Sequence, residues 1–219
     1  MSQPADLAAW RKAKRAEILA AREAIPLAVR RERNETITRL LNVAFDVLAG
    51  TPIGFCWPYR AEPDTRFFLH GMRKRGGRTA LPVVVEKKRP LEFREWWAGA
   101  PSTPGVFDLP IPQGTAVIRP HALLVPPVGF DAAGYRLGYG GGFFDMTLAA
   151  MTPQPLKIAV AFDVSRMATI HPQPHDIPMD FVVTERGVER VVAGRLVAME
   201  DPAEVRAIAL QLLDERKLG

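Results

Sequence analysis

Between Asp131 and Asp145 the chain places five glycines, Arg136, two tyrosines and two aspartates. Such a stretch suits a phosphate. Glycines let the backbone approach an anion, and the unpaired amides at the start of a following helix point at it. Asp145 stands beside the turn, where a carboxylate could hold Mg²⁺ against the same phosphates. The spacing Gly138-x-Gly140-Gly141-Gly142 is not a P-loop, because no Gly-Lys-Ser/Thr follows, and not the wider dinucleotide fingerprint. A plain tight connection between a strand and a helix stays open beside the phosphate reading.

Other residues could join this chemistry. Arg11, Arg15 and Arg22 recur at i, i+4 and i+11, which puts them on one helical face, with Lys14 next to it. A cationic row of this kind makes a phosphate clamp; a solvated face is the simpler alternative. Glu62 stands in the turn 58–63, just past the apolar run 53–57, and could accept hydrogen bonds from an amino-bearing ligand, or cap the next helix, which is the plainer reading. Trp57, Tyr59, Phe130, Tyr135, Tyr139, Phe143 and Phe144 could stack a planar ring, or serve as core. In His171-Pro-Gln-Pro-His175-Asp176 the prolines forbid a helix and no third soft ligand lies near, so zinc does not fit. Asp176 could face the same Mg²⁺ as Asp145, or be the usual aspartate of a proline-rich turn. No Gly-x-Ser-x-Gly elbow makes Ser165 a nucleophile. Cys56 reads as a small core residue.

The elements that must position these residues follow from periodicity. Residues 6–24 read as a helix with Asp6 as N-cap and Leu7, Trp10, Ala13, Ala20 and Ala24 as its apolar stripe. Residues 28–49 read as a second helix stopped by Gly50. Strands are expected at 53–57, 79–85, 91–97, 122–125, 157–162 and 181–184, with helices at 64–75, 146–150 and 202–217. Residues 98–120, with five prolines and three glycines, read as a long surface loop that could close over the site. The alternation predicts an α/β fold of one three-layer, Rossmann-like domain over residues 1–219, its sheet mainly parallel with helices on both faces and the helical pair of residues 1–50 packed on it.

Composition bounds the rest. The chain has 219 residues, 47% of them hydrophobic, and a net charge of +5. Residues 1–33 hold eight Lys/Arg against four Asp/Glu, so most of the surplus is local to the N-terminus. No apolar run approaches a membrane span and no signal-peptide core stands near the start. The single cysteine excludes an internal disulfide and suits a cytoplasmic location. No nucleic-acid module signature accompanies the basic charge.

Taken together, Pro126-Pro-Val-Gly-Phe-Asp131, Gly134-Tyr-Arg-Leu-Gly-Tyr-Gly-Gly-Gly-Phe-Phe-Asp145, His175-Asp176, Glu62 in Tyr-Arg-Ala-Glu-Pro-Asp and the basic pair Arg11-x-x-x-Arg15 closely resemble the 5-formyltetrahydrofolate cyclo-ligase family, also called 5,10-methenyltetrahydrofolate synthetase. The likeness covers most of residues 10–190. It implies a single Rossmann-like α/β domain that converts 5-formyltetrahydrofolate and ATP to 5,10-methenyltetrahydrofolate, ADP and phosphate through phosphorylation of the formyl oxygen, with Mg²⁺. On that resemblance Arg11, Arg15, Arg136, Leu137, Gly138, Tyr139, Gly140, Gly141, Gly142, Phe143 and Phe144 would bind ATP. Trp57, Glu62, Tyr139, Gly140, Gly141, Gly142 and Phe143 would bind the folate, Asp145 and Asp176 the metal, and Arg15, Arg136 and Tyr139 would act in the chemistry. The partners would be these small molecules, with no membrane or nucleic acid, and the protein would be a monomer. The chain departs from the family pattern at Phe143 and Phe144, where tyrosines are usual, and at Gly141, where some members have lysine. A paralogue acting on another pterin or amide, or a non-catalytic folate- or nucleic-acid-binding protein, are the alternatives.

Overall fold

Asp6 opens the first helix as its N-cap, its carboxylate accepting from the Ala9 amide at 2.9 Å. The computed structural model describes residues 3–105 and 108–217, so the ends of the expected 1–219 domain and residues 106 and 107 of the expected loop lie outside it. Helix α1 runs Leu7–Glu23 and α2 Leu27–Ala44. The second helix stops five residues before the expected end. The chain tightens there into a 3₁₀ turn, Asp46–Leu48, and Gly50 at φ +77° redirects it into strand β1, Ile53–Phe55. Helix α3, Arg66–Lys74, leads to β2, Thr79–Val83, and β3, Glu92–Glu95. Within the proline-rich stretch, short strands β4, Ser102–Pro104, and β5, Pro110–Pro112, pair antiparallel. The expectation of a loop without secondary structure is corrected to that extent.

Next come β6, Ala122–Val125, then β7, Gly129–Asp131, and β8, Arg136–Leu137. Helix α4, Phe143–Ala150, precedes β9, Leu156–Val160, and β10, Arg166–Met167. Strands β11, Phe181–Thr184, β12, Gly187–Val192, and β13, Arg195–Met199, lead to α5, Pro202–Lys217. The eight-stranded sheet has the order β13-β12-β11-β9-β6-β1-β2-β3. Its centre, from β11 to β2, is parallel throughout; β12, β13 and β3 add antiparallel edges. The β12–β13 hairpin was not anticipated from the sequence.

Period-two alternation divides the core between two faces. Ala122, Leu124, Leu156, Ile158, Val160, Phe181 and Val183 meet apolar residues of α2, α3 and α5. Leu123, Val125, Ala159 and Val182 meet Phe130, Leu148 of α4 and Met179 on the other face. Helices therefore cover both faces of a mainly parallel sheet, as expected. Helix α1 belongs to neither cluster. Its Ile18 and Leu19 pack on Val128 and Met167, beside the small sheet β10-β7-β8. The expected stripe is corrected: Ala13, Ala20 and Ala24 are exposed, and Ile18, Leu19 and Arg22 are the buried positions. The row that faces inward is 11, 15, 18, 22, because the element beneath it offers carbonyls and carboxylates. Among the described residues no helix is long and apolar enough to cross a membrane.

Candidate active site

The carboxyl ends of parallel strands are where open α/β sheets leave room for ligands. Beyond β6, Pro127 turns the chain into the β7–β8 hairpin. Buried Asp131 holds the hairpin turn, accepting from the amides of Ala133 and Tyr135 through one oxygen and of Ile170 through the other, each at 3.0 Å. Gly134 sits in this turn at φ +80°, where a Cβ would lie 2.3 Å from a Val191 methyl. After Leu137 comes the exposed glycine loop.

Two of its glycines need their freedom: Gly140 at φ +100°, and Gly142 at φ +66°, the N-cap of α4. Gly142 brings no capping side chain. Among the described residues, no carbonyl or side chain accepts from the amides of residues 139–145. Unsatisfied amides at a helix start carry positive potential. Gly141 also makes room for the Phe143 ring, 2.8 Å from where its Cβ would stand. Phe144 turns the other way and packs on the core beside α4.

Helix α1 lays its arginines along this loop. Arg15 donates from Nε to the Gly138 carbonyl at 2.6 Å, and its guanidinium lies 3.5 Å from the Cβ position of Gly140. Partial burial, then the nearby Arg11 charge, lower its pKa. Among the described residues no carboxylate pairs with it. Arg11, by contrast, is engaged by the protein: Nε donates to Ile170 O at 3.1 Å, and Nη2 to His171 O at 3.0 Å and to Asp176 at 2.7 Å. The structure thus separates two arginines that the sequence treats alike.

Arg136 lies behind the loop, buried, with Nη1 donating to Ile177 O at 2.5 Å and Nη2 to Asp145 Oδ1 at 2.7 Å. Burial lowers its pKa, against the pull of Asp145 and Asp176. Leu137 contributes a buried side chain, and its backbone pairs within the hairpin. Asp145 and Asp176 are each oriented through one oxygen: Asp145 Oδ1 by Arg136 and the Ile177 amide, Asp176 Oδ2 by Arg11 and the Gln173 amide. The second oxygen of each takes no hydrogen bond from the described residues. No cluster of three His, Cys, Asp or Glu capable of holding a metal occurs among them. His171 packs edge-on against Trp10, and the exposed His175 has its Nε2 3.8 Å from Asp176 Oδ1.

Glu62 does not cap α3, whose N-cap is Thr65. Its side chain is buried. Oε1 accepts from the Tyr139 hydroxyl at 2.6 Å and Oε2 from the Tyr59 amide at 3.0 Å, and Arg22 stands 3.6 Å away. Burial raises its pKa to about 7, against the opposing pull of Tyr139, Arg22 and the Tyr59 amide. Tyr139 is 46% exposed as a residue, its ring tilted against Tyr59 at 5.8 Å and its hydroxyl bonded to Glu62. Trp57 packs against Trp96 at 5.3 Å and lies 4.4 Å beneath the Arg66 guanidinium. Burial pushes the neighbouring Cys56 thiol up, so it is no nucleophile at neutral pH.

Arg22, which the sequence reading sets in the cationic row of the phosphate clamp but gives no ATP or folate contact, turns inward to Glu62 and Tyr139. It is 1% exposed and donates to Arg60 O at 2.9 Å, Pro127 O at 3.3 Å and Tyr139 Oη at 2.8 Å. One signal was present: it stands at i+4 from Ile18 and i+3 from Leu19, the buried pair of its helix.

A profile of the 5-formyltetrahydrofolate cyclo-ligase family matches residues 7–185. The chain is 31% identical over 186 residues to a 5-formyltetrahydrofolate cyclo-ligase of Mycolicibacterium smegmatis, covering 80% of this chain and 93% of that one. To the Escherichia coli enzyme of the same name it is 28% identical over 160 residues, 68% and 86% of the two chains. The solution structure of Aquifex aeolicus 5,10-methenyltetrahydrofolate synthetase superimposes with a TM-score of 0.73 at 24% identity, over 87% of this chain and 97% of that one. The synthetase structure from Mycoplasma pneumoniae gives 0.66 at 24% identity, over 80% and 98%.

Proposed function

The chain belongs to the 5-formyltetrahydrofolate cyclo-ligase family, and on that premise we propose that its glycine loop and Arg15 hold the terminal phosphates of ATP while Glu62 holds the pterin of 5-formyltetrahydrofolate. It is an enzyme of the ligase class, with cyclo-ligase activity. The observation that carries the site assignment is one loop with two faces. Its unpaired amides and Arg15 make an anion cradle, and its Tyr139 hydroxyl reaches Glu62.

The chemistry asks for positioning and charge neutralisation. A formamide oxygen is a weak nucleophile and its carbon a weak electrophile. In the proposed reaction the formyl oxygen attacks the γ-phosphorus, the bond to the leaving oxygen breaks, and ADP departs. The resulting iminium phosphate is attacked at carbon by N10, which loses its proton; the C–O bond breaks and phosphate leaves. Arg15 and the amides of the loop meet the charge that develops on the transferring group. No side-chain nucleophile is needed. Trp57, Phe143 and the glycines at 140–142 would line the folate; Leu137, Gly138 and Phe144 would shape the phosphate loop, and Arg136 would fix Asp145 behind it. Arg11 would act chiefly by fixing Asp176. Asp145 and Asp176, hard oxygen donors each oriented through one oxygen, would hold Mg²⁺. When bound there, the ion would neutralise phosphate charge.

Purified protein given 5-formyltetrahydrofolate and Mg-ATP is expected to produce methenyl-folate absorbance, and none without ATP. No product, with no ATP-dependent loss of substrate, overturns the reading. Glu62→Gln is expected to weaken folate binding about tenfold to a hundredfold, the worth of hydrogen bonds to a charged acceptor. The wild-type affinity should fall as pH drops through about 7, because the raised pKa of Glu62 turns the acceptor into a neutral acid there. The Glu62→Gln variant should lack that dependence. Calorimetric titration at several pH values decides both points.

A further inference from the structure

A guanidinium at 1% exposure costs desolvation that an apolar side chain beside Ile18 and Leu19 would avoid. What Arg22 gains for that cost is a set of contacts between segments distant in sequence. It grips the turn after β1 through Arg60 O, the turn after β6 through Pro127 O, and the glycine loop through the Tyr139 hydroxyl. Arginine only donates, so the tyrosine oxygen accepts from Arg22 and its single proton goes to Glu62. The 2.6 Å separation suits a hydroxyl donating to a charged oxygen. The direction of the relay, Arg22 to Tyr139 to Glu62, is fixed by chemistry.

We propose that Arg22 is a positioning residue for the folate site: through the Tyr139 hydroxyl it holds Glu62 as an acceptor and ties the phosphate loop to the substrate carboxylate. The inference builds on the reading of Glu62 as the partner of the pterin. It means that the two halves of the site share one buried hinge of charge.

The groups facing Glu62 are Arg22 from α1, Tyr139 from the glycine loop, the Tyr59 amide from its own turn and Cys56 at the end of β1, with the exposed Arg60–Glu23 pair beyond. Arg22 is the cation nearest the carboxylate among them. Its removal therefore pushes the carboxyl further up.

The test is the pH profile of 5-formyltetrahydrofolate binding, read by tryptophan fluorescence between about pH 5.5 and 9, for wild type, Tyr139→Phe, Arg22→Met and Arg22→Lys. The midpoint should move up in Tyr139→Phe, which loses the hydrogen bond to Glu62, and also in Arg22→Met, which loses the facing charge, with affinity recovered at the alkaline end in both. Arg22→Lys, which keeps the charge, should lie between Arg22→Met and wild type. Tyr139→Phe, changed at a half-exposed residue, and Arg22→Lys decide the matter if Arg22→Met does not fold. An unmoved midpoint in Tyr139→Phe and the Arg22 variants, with affinity lost equally at every pH, reduces Arg22 to a structural role and overturns the proposal. Glu62→Gln separates the two ideas: if it binds folate as wild type does, with the same pH profile, the placement of the pterin fails instead.

Discussion

Arg15→Ala is expected to lower kcat/KM by about a hundredfold to a thousandfold, the usual loss when one preorganised donor to a developing negative charge is removed, while the melting temperature stays close to that of wild type. The asymmetry comes from the contacts. Among the described residues Arg15 makes one hydrogen bond, from Nε to Gly138 O, and balances no carboxylate. Its loss leaves no buried charge behind and removes a like charge from beside Arg11. The same loss takes the cation from beside the backbone of Gly138 and Gly140. Arg15→Lys should recover part of the rate, since it restores charge without the planar fork. Single-turnover formation of methenyl-folate, followed beside thermal unfolding, separates the two effects. Full turnover in Arg15→Ala would show that the phosphates lie elsewhere.

Asp145→Ala is expected to behave differently, losing stability as well as activity. Asp145 is the carboxylate partner of Arg136, whose side chain is 4% exposed, and it also accepts from the Ile177 amide. Removing it strands a buried guanidinium. Breaking a buried pair from one side costs about 3–5 kcal/mol; the lower end applies, because Asp145 itself is partly open to solvent. For a chain of this length that corresponds to a fall in Tm on the order of 10 °C. Asp145→Asn keeps an oxygen for the Ile177 amide and should lose less stability. If Asp145 also holds Mg²⁺, that milder variant should still need more Mg²⁺ for half-maximal turnover. A wild-type melting curve for Asp145→Ala would refute the structural part, and an unchanged Mg²⁺ requirement in Asp145→Asn the catalytic part.

The arrangement of the sheet was legible where side chains are buried on both faces. The apolar runs at 122–125, 157–162 and 181–184 can only be interior strands, and all three are. The antiparallel edge was not legible. Gly187-Val-Glu-Arg-Val-Val192 has charges at its centre, and its hairpin turns on Ala193-Gly194, both at positive φ, without the Asn-Gly or Asp-Gly that announces such a turn. Prolines at 104, 110 and 112 hid β4 and β5, which form an isolated pair that tolerates missing amides. At the site, the glycine loop and Arg15 could be found from local pattern. The environment of Glu62 could not. Its partners Arg22 and Tyr139 lie far from it in sequence, and helical spacing says nothing about which cation crosses to which carboxylate. The alanines of α1 misled for a related reason: they count as apolar in any periodicity, yet bury nothing here.

The separate footing of α1 carries a consequence for how the protein fails on heating. This helix supplies Arg11, Arg15 and Arg22, yet among the described residues its buried apolar anchorage is Ile18 and Leu19 on Val128 and Met167, with Trp10 edge-on to His171, outside both clusters that sandwich the main sheet. Elements with few shared apolar contacts open at lower free energy than the body they rest on. Catalysis should therefore fade in a pre-melting phase, with amides of residues 7–23 exchanging early while those of β6 and β9 stay protected. A nucleotide bridging Arg15 and the glycine loop would close that gap, and inactivation and global unfolding would then coincide.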